Sequence, residues 1–333
     1  MLIKFKNNRV RRSYIESGLI NNYTEEKPLG YPEDWIASVI TAFNPGFPEI
    51  ENEGLSKFEN DTLLKDYILS KPECLGKNKN IGILIKFLDA GERLVIQCHP
   101  TDDFAQKYFN SAVGKTECWY ILDSKPEAHV YLGFNKKADK NKWKNAFVYQ
   151  DINLMLSMLH KIKVEKGDCI FVNSGMPHAI GEGCFLIELQ QPSDLMVIPE
   201  RKTSSGRELD ECKMHGGLGF ERMFDCFDYQ TYEKSEVIKK CIKKANLIEN
   251  EIIDVIDEKF TDKFKLQQLL VTKNFFYENG DEYNVLVITE GEGFLSDGSN
   301  GFKIKKGDKF FVEANSKLKF YTENYISACI CKH

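Results

Sequence analysis

The chain has 333 residues, 42% of them apolar and 29% charged, which is enough apolar chain to bury substantial cores and excludes a disordered polymer. A formal net charge of −5 gives no general electrostatic reason to expect nucleic acid or a membrane surface as partner, and there is no run of about 18 uncharged apolar residues to span a bilayer. The ten cysteines are scattered, several of them inside apolar strand-like runs, and Met1–Lys6 lacks the apolar core of a signal peptide; reduced thiols and a cytoplasmic location are expected.

Residues 1–57 are irregular and rich in Asn, Gly and Pro, with Tyr31–Ser38 expected to form a short helix or covering loop that lays Trp35 on the core. Leu63, Leu64, Tyr67 and Ile68 recur at helical spacing, which predicts a helix over Phe58–Leu69 capped by Asn60 or Asp61 and ended by Pro72. The apolar runs Ile81–Ala90 and Arg93–His99 flank Gly91 and read as a strand pair. A short helix at Asp102–Phe109, strands at Cys118–Leu122 and His129–Phe134, and a solvated basic stretch over Lys136–Lys144 follow. Ile152–Leu159 reads as helix, and Ile162–Val172, Ala179 onward and Cys184–Leu189 as strands. Arg201–Arg207 is a polar loop, 208–261 a helical connector, and the chain from Phe264 returns to short strands. The Gly-rich stretch Met214–Phe220 lacks the strand-turn-helix setting of a nucleotide loop and is expected to be a packing turn.

Strand alternation over Leu94–His99 puts Val95, Gln97 and His99 on one face. Glu117 opens the next apolar run, after enough chain to turn back toward that face. A third strand, Ile170–Asn173, ends in the small-residue turn Ser174–Pro177, which delivers His178. Two imidazoles, one carboxylate and one amide oxygen form a plausible site for a divalent metal. Lys115, two residues before Glu117, is expected to face the same space. The other histidines, His129, His160, His215 and His333, stand in no such pattern.

The chain also repeats itself. Ile162–Val172 (IKVEKGDCIFV) and Phe302–Val312 (FKIKKGDKFFV) share a Lys-Gly-Asp turn between strands. Extending that register sets Leu318 opposite His178, and aligning Trp119–Leu122 with Val285–Ile288 sets Tyr283 opposite Glu117, so the second copy lacks the ligands. The fold class expected is mainly β: two cupin-type jelly-roll units with a helical connector and minor helices, only the first holding metal. The boundaries expected are 1–200 for the N-terminal segment with the metal-binding unit, 201–262 for the polar loop and connector, and 263–333 for the second unit.

At these residues the sequence resembles the class I mannose-6-phosphate isomerases, and within them the shorter bacterial members. The resemblance rests on Gln97-x-His99-Pro100 with Ala105, Gly114–Tyr120, Lys166-Gly167-Asp168 leading to Ser174–Ala179, Glu188-x-Gln190-Gln191 and Trp35–Ser38. It implies one zinc ion held by Gln97, His99, Glu117 and His178, an active-site cation at Lys115, and interconversion of mannose 6-phosphate and fructose 6-phosphate. The implied partner is therefore a small sugar phosphate. The chain departs from the pattern at Ile198, where the resemblance leads one to expect an arginine; Arg201 is the nearest substitute, although an odd offset on a strand turns it to the opposite face. Arg201, Lys202, Ser204 and Arg207 are the expected phosphate donors beside Lys115, since a dianion needs several. Two other readings share this ligand set: a sugar-phosphate-binding cupin without turnover, which Ile198 favours, and an iron(II) oxygenase, which the fourth ligand and the lysine disfavour.

Overall fold

Three mostly antiparallel sheets stack in the computed structural model, which describes residues 1–333. The central sheet has seven strands in the order Ile242–Lys244, Asp168–Val172, Glu117–Ser124, Cys184–Gln190, Leu84–Asp89, Glu33–Ile36 and Arg9–Val10. Four strands, Thr231–Tyr232, His129–Asn135, Leu159–Lys163 and His178–Ile180, cover one face. Of nine further strands, Leu2–Lys4, Ile252–Ile256, Lys265–Val271, Asn284–Ser296, Lys309–Val312 and Ile326–Lys332 form the layer on the other face, and Asn274–Glu278, Gly301–Lys305 and Lys317–Tyr321 pack behind it around the second unit's own core. This is the expected mainly β architecture of two jelly-roll units with minor helices. No helix is long and apolar enough to cross a membrane.

The strand Glu117–Ser124 shows why the layers stack. Trp119 and Ile121 pack with Leu132, Ile162 and Leu186 toward the four-stranded sheet. Cys118, Tyr120 and Leu122 pack with Val285, Phe311 and Cys329 toward the nine-stranded one. With side chains alternating in direction, a strand buried on both sides must be apolar at every position. Glu117, at its head, therefore points with Trp119 into the first unit.

The internal repeat is structural. Gly167 at φ +88° and Gly307 at φ +93° occupy matching turns. In each, the following aspartate accepts from the backbone N–H two residues before the glycine: Glu165 N to Asp168 Oδ2 at 2.8 Å, and Lys305 N to Asp308 Oδ2 at 2.9 Å. The pairing corrects the expected register by one residue, because Val172 faces Glu117 while its counterpart Val312 faces Asn284, not Tyr283. Asn284 is buried and donates to Tyr277 Oη at 2.9 Å, so the second unit has a polar contact where the first has its carboxylate. The two glycines differ in surroundings. A Cβ at 307 would lie 2.0 Å from Tyr23 O, whereas at 167 the nearest atom is Lys244 Cε at 3.6 Å. Gly167→Ala should cost only the left-handed backbone penalty of about 1–2 kcal/mol, and Gly307→Ala clearly more, read as a lower urea midpoint.

Several local expectations change. The helix begins at Leu64 and runs to Ser70, because Lys57 and Leu63 pair as a bridge and Asn60 caps a turn rather than a helix, accepting from Thr62 N. Pro72 opens a further short 3-10 turn, Pro72–Leu75. Leu84–Asp89 pairs with Cys184–Gln190 and Glu33–Ile36, not with Arg93–His99, which stays extended and makes only isolated bridges. Trp35 is buried as expected, but on a strand. The stretch 208–261 is only partly helical: Ile242–Lys244 joins the central sheet and Ile252–Ile256 the nine-stranded one. Leu2–Lys4 pairs with Lys309–Val312, so the chain start is woven into the second unit. Cys329 and Cys331 are buried near Cys118 and Cys169, where burial first pushes the Cys329 and Cys331 thiols up.

Candidate metal centre and adjoining cavity

His99 and His178 arrive on segments that lie side by side. Gln97 and His178 exchange both backbone hydrogen bonds at 2.9 Å, and Leu94 N donates to Ile180 O at 2.8 Å. The turn before His178 is fixed to the same segment: Gly175, at φ +84°, donates its N–H to His99 O at 2.7 Å. Glu117 faces both from across the sandwich, its strand position set by pairing with Gln190 and Val172. The three side chains are buried, and their nearest donor atoms all lie within 4.8 Å of one another.

Hydrogen bonds select the tautomers. His99 Nδ1 donates to Leu195 O and His178 Nδ1 to Met176 O, both at 2.9 Å. A carbonyl only accepts, so each ring carries a proton on Nδ1. Burial lowers both imidazole pKa values, that of His178 to about 3, and both rings are neutral at pH 7. Each Nε2 then presents a lone pair to a carboxylate oxygen: His99 Nε2 lies 3.3 Å from Glu117 Oε2, and His178 Nε2 3.4 Å from Glu117 Oε1. Acceptor facing acceptor is favourable only around a cation; the Lys115 ammonium serves His99 Nε2 and Glu117 Oε2, and nothing serves His178 Nε2.

Two observations say that a metal fits. His178 Nε2 is buried with no hydrogen-bond partner, a state that costs an ordinary polar group about 1–3 kcal/mol. Donors about 2.0–2.2 Å from a tetrahedral ion are separated by about 3.3–3.6 Å, which the two imidazole-to-carboxylate spacings match. Trp119 Nε1 donates to Glu117 Oε1 at 3.0 Å and fixes the carboxylate's orientation.

Lys115 closes this cluster. Its Nζ is 3.0 Å from His99 Nε2, 2.7 Å from Glu117 Oε2 and 3.3 Å from Glu188 Oε1. Burial opposes the charge on Lys115, but Glu117 and then Glu188 outweigh it and raise the ammonium's pKa. Burial likewise pushes the Glu117 carboxyl up, and Lys115, then His99, overcome it and hold Glu117 well below the usual carboxylate range. Beside Lys115 lies a narrow cavity of about 40 Å³, with Gln97, Arg12, Lys86, Glu188, Ile198 and Lys213 among its walls.

The structure does not bring the polar loop into this cavity. Arg201 stacks over Phe220 and Phe147, with its guanidinium carbon 4.7 and 5.1 Å from the ring centres, and pairs with Glu211 at 3.4 Å. Those aromatics hold it away from the metal donors. Lys202 pairs with Glu208 at the surface, and Ser204 donates to Arg93 O at 2.7 Å. Arg207 lies over Phe47 and lines a second small cavity, which shares Ser13 and Lys213 with the first. Ile198 does face the cavity. His129, His160 and His215 bond only to nearby backbone.

Four wall residues were given no site role from the sequence: Lys86, Arg12, Lys213 and Glu188, the last read only as part of the Glu188-x-Gln190-Gln191 motif. Lys86 and Glu188 sit directly opposite on neighbouring buried strands and pair at 2.8 Å. One charge inside each of two apolar runs was the available signal, since buried charges come paired. Arg12 and Lys213 had none, lying in an irregular stretch and on the five-residue helix Glu211–His215.

Fold and site together define a cupin-type β protein with a buried His-Glu-His donor set beside a cation-lined cavity. No protein-family model matches the chain. Among curated proteins it is 36% identical over 157 residues to the probable mannose-6-phosphate isomerase GmuF of Bacillus subtilis, a match spanning 46% of this chain and 47% of that one. To the mannose-6-phosphate isomerase ManA of the same organism it is 28% identical over 263 residues, covering 75% of this chain and 74% of the relative. Among solved structures, the mannose 6-phosphate isomerase of Bacillus subtilis matches over 100% of this chain and 99% of its own, with a TM-score of 0.77 at 20% identity. The apo phosphomannose isomerase of Salmonella typhimurium aligns over 100% of this chain and 99% of its own, with a TM-score of 0.73 at 13% identity. The chain is thus a homologue of proteins named mannose-6-phosphate isomerase and has the phosphomannose isomerase fold.

Proposed function

We propose that the chain is a zinc-dependent aldose-ketose isomerase that interconverts mannose 6-phosphate and fructose 6-phosphate through an enediolate. One observation carries this reading: two neutral imidazoles and a carboxylate meet lone pair to lone pair beside a cavity walled by cations. The names of the curated relatives supply the substrate. Gln97, two residues before His99 and among the residues that line the cavity, is the fourth donor in this reading.

Moving a carbonyl between C1 and C2 removes a proton beside a carbonyl and leaves negative charge on the two oxygens. A divalent metal held by His99, Glu117 and His178 would supply Lewis-acid polarisation of those oxygens. Lys115 adds a fixed positive charge where the enediolate forms, already turned inward by Glu117 and Glu188 and needing no reorganisation. The cavity, at about 40 Å³, is smaller than a hexose phosphate, so substrate entry requires its wall residues to move apart. The reduced thiols fit a cytoplasmic setting.

Ile198 keeps a second reading in view, a sugar-phosphate-binding cupin without turnover, because it places an apolar side chain in the cavity wall where an arginine was expected. Incubation of the zinc-loaded chain with mannose 6-phosphate in heavy water separates the two. Fructose 6-phosphate carrying solvent deuterium at C1 is the expected product; binding with no product would leave the non-catalytic reading standing.

A further inference from the structure

Among the wall residues, Arg12, Lys86, Lys115 and Lys213 stand against the carboxylates of Glu33 and Glu188, four cations to two anions, with Asp194 and Glu117 just behind. Three of the cations have a close carboxylate of their own. Lys86 has Glu188 at 2.8 Å, Lys115 has Glu117 at 2.7 Å, and Arg12 holds Asp194 through both terminal nitrogens while its Nε donates to Glu33 at 2.9 Å. Lys213 has none. Its Nζ donates to Phe43 O at 2.6 Å, and the nearest carboxylate oxygen, Asp194 Oδ2, is 3.9 Å away and already bonded to Arg12. A buried ammonium has three protons to place, and this one places a single hydrogen bond on a neutral carbonyl.

We propose that Lys213 is the anion anchor of the site, receiving the phosphate of the substrate where the metal-side cavity meets the second small one, which Arg207 lines. The inference rests on the isomerase reading for its substrate, but not for its chemistry: a phosphate dianion is the partner that an uncompensated, inward-facing ammonium recruits. Lys213 lines both cavities and Ile198 lines the first, so the cation that is missing at position 198 is supplied from the helix Glu211–His215. The electrostatics agree. Burial lowers the ammonium to about 8 despite the pull of Asp194, and of the other groups facing it, Arg12 and Lys86 lower it further while Glu33 raises it.

The test uses inorganic phosphate as the probe, with calorimetry on the zinc-loaded chain, Lys213→Met and Lys213→Arg, alongside KM and kcat for mannose 6-phosphate. Lys213→Met should weaken phosphate binding and raise KM by about tenfold or more, the size of one lost charge-assisted bond, with kcat changed far less. Lys213→Arg should restore both. Between pH 7.5 and 9.5 phosphate stays dianionic, so the parent chain should lose affinity as the lysine loses its proton above about 8, and Lys213→Arg should not. Unchanged phosphate affinity in a folded, metal-loaded Lys213→Met protein overturns the inference, as does a parent chain that binds no phosphate. If Lys213→Met does not fold, a Lys213→Arg protein whose pH profile matches the parent's overturns it. Phosphate binding lost in Lys213→Met and regained in Lys213→Arg, in a chain without isomerase turnover, upholds the anchor and removes the isomerase reading instead.

Discussion

Glu117→Ala is expected to remove metal retention and turnover together. The carboxylate offers one oxygen to each imidazole, Oε2 at 3.3 Å from His99 Nε2 and Oε1 at 3.4 Å from His178 Nε2, and without it the site has two neutral donors and no anion. The loss of metal affinity should exceed the roughly 10–100-fold that follows from removing an outer partner, which is the effect expected of Trp119→Phe through the lost Nε1–H donor to Glu117. Metal content after gel filtration, measured on both variants beside the parent, ranks the three. A Glu117→Ala protein that keeps one ion per chain would rule out this donor set.

The second large effect concerns the joint between the units. Lys309, on the strand Lys309–Val312, reaches Asp34, on the strand Glu33–Ile36, in a contact where both side chains are at most 2% exposed. Lys309 Nζ also donates to Asn7 Oδ1 at 2.9 Å, and Asp34 Oδ1 accepts from Asn8 N at 2.9 Å, so both charges are hydrogen-bonded further. Removing one partner of a buried pair leaves the other charge uncompensated, at a cost of about 3–5 kcal/mol. Asp34→Ala should therefore be destabilised by that amount in urea unfolding. Adding Lys309→Met should recover most of the loss, since an apolar replacement of the whole pair is close to neutral. A loss below about 1 kcal/mol in the single variant would mean that water reaches the pair.

Much of this was legible in the sequence because it is periodic. The matching Lys-Gly-Asp turns announce two like units, and the short helix expected at Asp102–Phe109 forms over those residues, where the structure caps it with Thr101. The three metal donors were readable because each ends or opens an apolar strand, where a lone His or Glu is conspicuous. What escaped depends on pairing between distant segments. Strand alternation cannot tell that Arg93–His99 bridges to His178 and Val197 rather than pairing with Leu84–Asp89. The gapless alignment missed Asn284 by one position because it matched one apolar run to another, and the bulges at Leu122 and Thr289 fall at matching places in the two units and so leave no mark of the offset. Arg201 was named for its charge and its nearness to Ile198 in sequence, but Phe147 and Phe220 take its guanidinium. Lys213 was invisible because only the folded chain sets it beside Arg12 and Asp194, without a carboxylate of its own.

The central claim is that a metal held by His99, Glu117 and His178 enables sugar-phosphate isomerisation. Turnover of mannose 6-phosphate, followed as fructose 6-phosphate on one metal-analysed preparation before chelation, after it and after zinc is returned, bears on that claim most directly. Activity that disappears with the ion and comes back with one zinc per chain is expected. Turnover undiminished in a chain shown to be free of metal would refute it.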